Sequence, residues 1–119
     1  MHTKQFLLSL GFLILFWIGG CGYRDFKTMT LSGAAQVTPT FSSISEKILL
    51  PKCVQCHDSR RRNFSTYAGI INDVEAYRPE ESELYEVVQE GSMPIGIPVL
   101  SDDEVIAIYL WIQNGAKND

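Results

Sequence analysis

Residues 53–57 read Cys53-Val54-Gln55-Cys56-His57, and this short run is the most informative feature of the sequence. Two residues separate the thiols, so one helical turn can present both sulfurs to the same edge of a bound group. The imidazole follows the second thiol directly. This spacing is that of covalent c-type haem attachment, in which each thiol adds to one haem vinyl group and the histidine becomes a ligand of the iron. The run therefore predicts one covalently bound haem c, held by Cys53 and Cys56 with His57 as its proximal ligand.

Three other kinds of site use the same residue types. A structural zinc site needs four ligands in a tetrahedron, whereas this motif provides three, two of which are adjacent in sequence. A thioredoxin-like redox site belongs in a βαβ setting, and no alternating strand pattern surrounds residues 53–57. A plain disulfide between Cys53 and Cys56 is the third possibility. These three stay open as alternatives to the haem site.

The N-terminal segment has the pattern of an export signal. Lys4 precedes an apolar run at residues 6–18. This run is shorter than the roughly 20 residues of a spanning helix, but it fits the roughly 7–15 residues of a signal-peptide core. The ending Ile18-Gly19-Gly20-Cys21 resembles a bacterial lipoprotein signal, although Ile18 stands where that class usually has leucine. The resemblance implies cleavage before Cys21 and lipidation of this cysteine; the alternatives are a plain secretory signal and an uncleaved anchor helix.

The chain then divides into three predicted segments. Residues 1–20 are the signal peptide, and residues 21–40 are the lipidated N-terminus with a flexible tether that contains Gly, Ser, Thr and Pro. Residues 41–119 are the folded domain. A domain of this size has a thin core and usually needs a disulfide, a metal or a cofactor to be stable.

Met93 is the predicted second axial ligand of the iron. No histidine other than His57 remains once His2 leaves with the signal, which excludes two histidine ligands from the mature chain. The mature methionines are Met29, in the tether, and Met93, downstream in Gly91-Ser92-Met93-Pro94. Glycine lets the backbone approach closely, and the proline disfavours helix at Met93. The alternative is that Met93 only fills a gap in the packing.

The rest of the domain predicts an all-α fold of about four short helices. The first is expected at 41–50, because Phe41, Ile44 and Ile48 recur on one helical face. Thr40 or Ser42 can cap it, and Pro51 is expected to end it. No strand has support as good as that of the helices.

The later helices carry terminal signals of their own. One is expected at 65–72 with Ser65 as its cap, and another at 81–90 closed by Gly91. The last begins with a capping box over Ser101–Glu104 and stops at Asn114-Gly115. Its buried stripe is predicted to consist of four residues, Val105, Ile108, Tyr109 and Ile112.

With this motif and this order of helices, the domain resembles a class I monohaem cytochrome c of the bacterial lipoprotein and planctomycete type. The likeness covers residues 41–116 and rests on the order helix, haem motif, helices, Met-Pro loop and C-terminal helix. It implies a cytochrome c-like fold around the haem. It also implies that the first and last helices cross at an aromatic contact, for which the matching positions are Phe41 or Ile44 and Tyr109 or Trp111.

One departure from that family follows the motif. Many class I cytochromes have a proline there whose carbonyl orients the proximal histidine, whereas residues 58–63 contain none. The acceptor for the His57 ring is therefore undetermined by sequence. The run Arg60–Arg62 could pair with haem propionates, face an acidic partner, or form a solvated loop.

Histidine and methionine together would fill both axial positions, which suits electron transfer. We expect a non-enzymatic electron carrier, or the relay subunit of an oxidoreductase, exported to the periplasm or cell surface and held to the membrane by a lipid. Its expected partners are redox proteins. The net charge of −4 provides no basic surface for nucleic acid. Alternatives are a haem-based sensor or peroxidase-like enzyme with an open axial site, and a structural lipoprotein stapled by haem.

Overall fold

The computed structural model describes residues 37–59 and 62–119. The predicted all-α class with about four helices is confirmed, because this part of the chain is mostly helical. The α-helices are α1 (Phe41–Ile44), α2 (Tyr67–Ile70), α3 (Glu83–Gln89) and α4 (Asp102–Gln113). The predictions for the signal peptide, Cys21, most of the tether, Arg60 and Arg61 lie outside the described residues.

The first helix is longer than predicted and changes its register. Thr40 is the cap, since its hydroxyl accepts from the backbone N–H of Ser43 at 3.3 Å. Over Ser45–Cys53 the helix is a π-helix, and this segment includes Pro51. The prediction that Pro51 ends the helix was therefore wrong. In a π-helix the hydrogen bonds reach the carbonyl five residues back, as the bond from Val54 N–H to the Leu49 oxygen at 2.9 Å does. The ring of Pro51 therefore meets less hindrance than in an α-helix, and the helix extends to Cys53.

A short antiparallel hairpin, absent from the sequence prediction, follows the motif. Strand β1 (Asp58–Ser59) pairs with β2 (Arg62–Asn63). Helix α2 lies so close to β2 that a Cβ on Gly69 would stand 2.6 Å from the carbonyl carbon of Asn63. Only glycine allows this approach, and it packs the hairpin against α2.

The middle helices begin later than predicted. Thr66, and not Ser65, caps α2, because its hydroxyl accepts from Gly69 N–H at 3.2 Å. A 3₁₀ turn (Ile71–Asp73) continues α2, and a second one (Pro79–Glu81) precedes α3. Both threonine and serine cap helices well, so the sequence could not decide between adjacent candidates.

Helix α4 matches its prediction closely. The Ser101 hydroxyl accepts from Glu104 N–H, while the Glu104 carboxylate accepts from Ser101 N–H at 2.9 Å, which completes the capping box. Gly115 has a φ of 98°, the left-handed backbone expected after a helix end. All four residues of the predicted stripe are buried.

The core lies where α1 and α4 cross. The rings of Phe41 and Trp111 are 6.1 Å apart between centroids, so the predicted contact between the first and last helices is confirmed. Val37 is 5% exposed and belongs to this core, although it was predicted to lie in the tether. Among the described residues, no helix has the length and apolar character needed to cross a bilayer.

Candidate functional site

A cavity of about 290 Å³ opens beside the end of the π-helical segment. Its walls come from the Cys53–His57 motif, the hairpin, the 3₁₀ turn that continues α2, helix α3 and the loop after α3. It is lined by Lys52, Cys53, Cys56, His57, Arg62, Phe64, Asp73, Glu83, Leu84, Val87, Val88, Met93, Pro94 and Ile95. All four residues predicted to hold the haem, Cys53, Cys56, His57 and Met93, line this one cavity.

The two thiols are placed by the helix end and the turn that follows it. Cys53 is the last π-helical residue, and its carbonyl accepts from the backbone N–H groups of Cys56 at 3.1 Å and His57 at 3.0 Å. This turn brings the second thiol and the imidazole to the same wall as the first thiol. Both cysteines are free; Cys53 is half-buried and Cys56 is exposed.

Burial sets the ionisation of the first thiol. It raises the pKa of Cys53 from 9.0 to about 11, with the nearby positive charge of Lys52 opposing the rise. Cys53 is therefore a neutral thiol at physiological pH. A neutral, half-buried sulfur is slow to react with exogenous electrophiles or oxidants, because the thiolate is the reactive form.

His57 is held from its backbone and from one ring face. Its carbonyl accepts from Phe64 N–H at 2.8 Å, which extends the hairpin by one pair. Its ring stacks on that of Phe64, with centroids 4.7 Å apart and planes 17° from parallel. Phe64 could not be predicted from the sequence, because an isolated aromatic seven residues after the motif carries no local signal.

Met93 is brought to the cavity by the turn that ends α3. Gly91 has a φ of 74°, which lets the chain reverse. The carbonyl of Val87 then accepts both from Met93 N–H and from the Ser92 hydroxyl, each at 3.1 Å. These bonds fix the backbone of Met93 against α3, and its side chain is half-buried on the cavity wall.

A lysine beside the motif is tied to α4. Lys52 Nζ donates to both carboxylate oxygens of Glu104, at 2.7 and 2.8 Å, and both side chains are largely buried. Burial opposes ionisation of Glu104, but the bonds from Lys52 and Ser101 outweigh it, so the pKa of Glu104 lies below its ordinary value. The pair joins the segment of the Cys53–His57 motif to the last helix.

Charged side chains form another part of the wall. Arg62 Nη2 lies 2.6 Å from Glu83 Oε1 and 3.1 Å from Asp73 Oδ1. Arg62 thus pairs with acidic residues of its own chain, which none of the three predictions for the Arg60–Arg62 run had anticipated. The sequence could not show this cluster, since its members come from three separate elements with no common spacing.

The remaining observations concern the donors as a set. In residues 37–59 and 62–119, no group of three or more His, Cys, Asp and Glu side chains is arranged to hold a metal ion directly. Comparisons of the chain with protein-family models, with curated proteins and with solved structures found no match.

Proposed function

We propose that this protein is a membrane-tethered c-type cytochrome that carries single electrons through one covalently attached haem. The observation that carries the proposal is the convergence of two thiols, an imidazole and a thioether on one cavity. Cys53, Cys56 and His57 are neighbours in sequence, but Met93 is brought there by the fold alone. The cytochrome c-like fold suggested by the sequence is part of the same proposal.

The donor set suits a haem better than it suits a bare metal ion. The two thiols have the spacing that lets each form one thioether bond to a haem, and they face the cavity from one turn of chain. An imidazole and a thioether are the axial ligands typical of electron-transfer haems. Cys53, Cys56, His57 and Met93 would hold the group, and His57 and Met93 would ligate its iron.

The surrounding side chains suit an apolar, planar guest. Leu84, Val87 and Val88 of α3 contribute an aliphatic wall, and Phe64 supports the imidazole from behind. Such a wall excludes water and lowers the local dielectric, which favours the less charged state of a bound centre. Arg62, also on the wall, is a candidate partner for an anionic edge of the guest.

The haem, when bound, supplies reversible one-electron chemistry, while the protein supplies binding, orientation and exclusion of solvent. His57 and Met93 would hold both axial positions, so that no small molecule has access to the iron. The chain would then exchange electrons with redox partner proteins. The predicted lipid on Cys21 would tether the domain on the periplasmic or outer side of a membrane.

The test of the proposal is covalent haem. The full chain is produced in a host that attaches haem c and is analysed by haem staining after denaturing electrophoresis. We expect a stained band for the wild type and none for the double variant Cys53→Ser with Cys56→Ser. Cys21→Ser is the matched control, because it removes the thiol outside the motif and should leave the stain in place.

The outcome that refutes the proposal is equally direct. A wild-type chain from a competent host that shows no haem after denaturation is not a c-type cytochrome. Loss of the stain in Cys21→Ser alone, with the motif intact, would also contradict the assignment of the attachment site to Cys53 and Cys56.

A further inference from the structure

Asp73 carries an unsatisfied acceptor on the cavity wall. Its side chain is only 9% exposed, and Oδ2 is buried without a hydrogen-bond partner among the described residues. A buried carboxylate oxygen without a donor is costly, so such atoms are uncommon in folded proteins and call for an explanation. The position of Asp73 on the cavity wall indicates that the missing donor belongs to the site.

The neighbouring cation does not supply that donor in this structure. Arg62 lies against Oδ1 of Asp73 at 3.1 Å, but it makes its shorter contact, 2.6 Å, with Glu83. One guanidinium is thus shared by two carboxylates. Oδ2 of Asp73 is left as the spare acceptor of this cluster.

The imidazole of His57 is the complementary spare donor. It lines the same cavity, and among the described residues its ring nitrogens take part in no hydrogen bond. The backbone of His57 is fixed by Phe64, so rotation of the side chain is its remaining freedom. Asp73 lines the same cavity as the imidazole. Burial raises the pKa of Asp73, the charge of Arg62 opposes that rise, Glu83 adds to it, and His57 opposes it more weakly.

We propose that Asp73 is a positioning residue whose Oδ2 accepts the ring N–H of His57, on the nitrogen that does not face the iron. The proposal rests on the proposed function, because it concerns the ring in its role as haem ligand. Histidines that ligate metals usually donate their other N–H to a carboxylate, a carbonyl or water, and this bond fixes the ring and raises its basicity. Asp73 would fill the place for which the sequence offers no proline carbonyl.

An anionic acceptor has a measurable consequence. A more basic imidazole donates more strongly to the iron and favours the ferric state, so Asp73 is expected to lower the reduction potential. A backbone carbonyl in the same place would do so less, because it carries no full charge. The potential therefore distinguishes this role from simple packing.

The first measurement follows the ring proton itself. His57 is the only histidine beyond His2, so protein labelled with ¹⁵N-histidine reports one imidazole after signal cleavage. In the reduced wild type we expect a ring N–H that exchanges slowly with solvent. Asp73→Ala should accelerate the exchange by about tenfold or more. Unchanged exchange in a folded Asp73→Ala protein overturns the proposal.

The second measurement uses a variant that keeps the shape of the side chain. Asp73→Asn and Glu83→Gln each remove one negative charge from the same cluster, but only the first alters the spare acceptor. We expect the reduction potential to rise in both, and clearly more in Asp73→Asn. Equal shifts overturn the proposal while the haem assignment stands. A wild type without covalent haem removes both the proposed function and this role of Asp73.

Discussion

Replacing Gly69 with alanine tests the contact between α2 and the hairpin that follows the Cys53–His57 motif. The new Cβ would lie 2.6 Å from the carbonyl carbon of Asn63 and closer still to its oxygen. Both atoms are backbone, so neither can move aside by changing a rotamer. Relief therefore requires α2 to shift away from β2 as a unit.

The cost can be estimated from what that shift does. Overpacking of a tight contact costs about 1–3 kcal/mol. The shift would also uncover part of Ile70, which is fully buried and whose complete burial is worth about 1.5–3 kcal/mol. Alanine recovers about 1 kcal/mol of helix propensity relative to glycine. We expect Gly69→Ala to lower the free energy of unfolding by about 2–3 kcal/mol.

Urea unfolding followed by far-UV circular dichroism measures this loss. With a slope of about 1.5 kcal/mol per molar, the midpoint should fall by about 1.3–2 M. Gly96→Ala is the control: Gly96 has a φ of 78° but nothing within 4 Å of its Cβ position, so alanine should cost only about 1 kcal/mol of backbone strain. If Gly69→Ala is no more destabilising than Gly96→Ala, the close approach of α2 to β2 is wrong.

Four further predictions concern the Lys52–Glu104 pair, the pH dependence of Glu104, the loop of Met93 and the N-terminus. A double-mutant cycle with Lys52→Met and Glu104→Gln should give a coupling of about 1–2 kcal/mol, because the pair is largely buried and charged. Folding lowers the pKa of Glu104 from its ordinary value of 4.5. The ionised carboxylate should therefore stabilise the protein fully at pH values above 4.5, and this stabilisation should be lost as the pH falls through the lowered pKa. In Met93→Ala the haem should change from low-spin to high-spin or recruit another ligand. The reduced variant should bind carbon monoxide, and its reduction potential should be lower than that of the wild type. Met29→Ala should show none of these effects. Cys21→Ser should abolish lipid labelling, as mass spectrometry of the N-terminus will detect.

Each of these has a result that contradicts it. The exposed pair Glu46 and Lys47 is the control for the cycle, with an expected coupling of no more than about 0.5 kcal/mol, and a similar value for Lys52 and Glu104 would remove the special role of that pair. An unchanged spectrum and potential in Met93→Ala would reduce Met93 to a packing residue and bring an open-site sensor or peroxidase forward. A mature N-terminus that carries no lipid and begins at a residue other than Cys21 would contradict the lipoprotein assignment.

The sequence predicted best what is encoded in neighbouring residues. The capping box over Ser101–Glu104 and the glycine stop at Gly115 are local patterns, and both are confirmed. The Cys53–His57 motif, on which the proposed haem site rests, is likewise one run of chain. Met93 was placed by elimination and by the residues beside it, and the structure brings it to the same cavity as the motif.

What the sequence could not give depends on tertiary packing. A proline usually ends a helix, and only the five-residue hydrogen-bond spacing of the π-helix explains why the helix continues through Pro51. The hairpin and its glycine contact have no pattern of alternation, because two-residue strands are too short to show one. The cluster of Arg62, Asp73 and Glu83 joins residues from separate elements, so no spacing rule could have assembled it.

The burial of Trp111 also makes this protein easy to follow by fluorescence. Its side chain is 1% exposed, its indole N–H donates to the Lys117 carbonyl at 2.8 Å, and it does not line the cavity. The other tryptophan, Trp17, lies in the segment predicted to be removed with the signal. Tryptophan emission from the mature chain would then come from a single side chain at the junction of α1 and α4. Comparing that emission with the absorbance of the proposed haem would tell whether the helix junction and the cavity come apart in one step or in two.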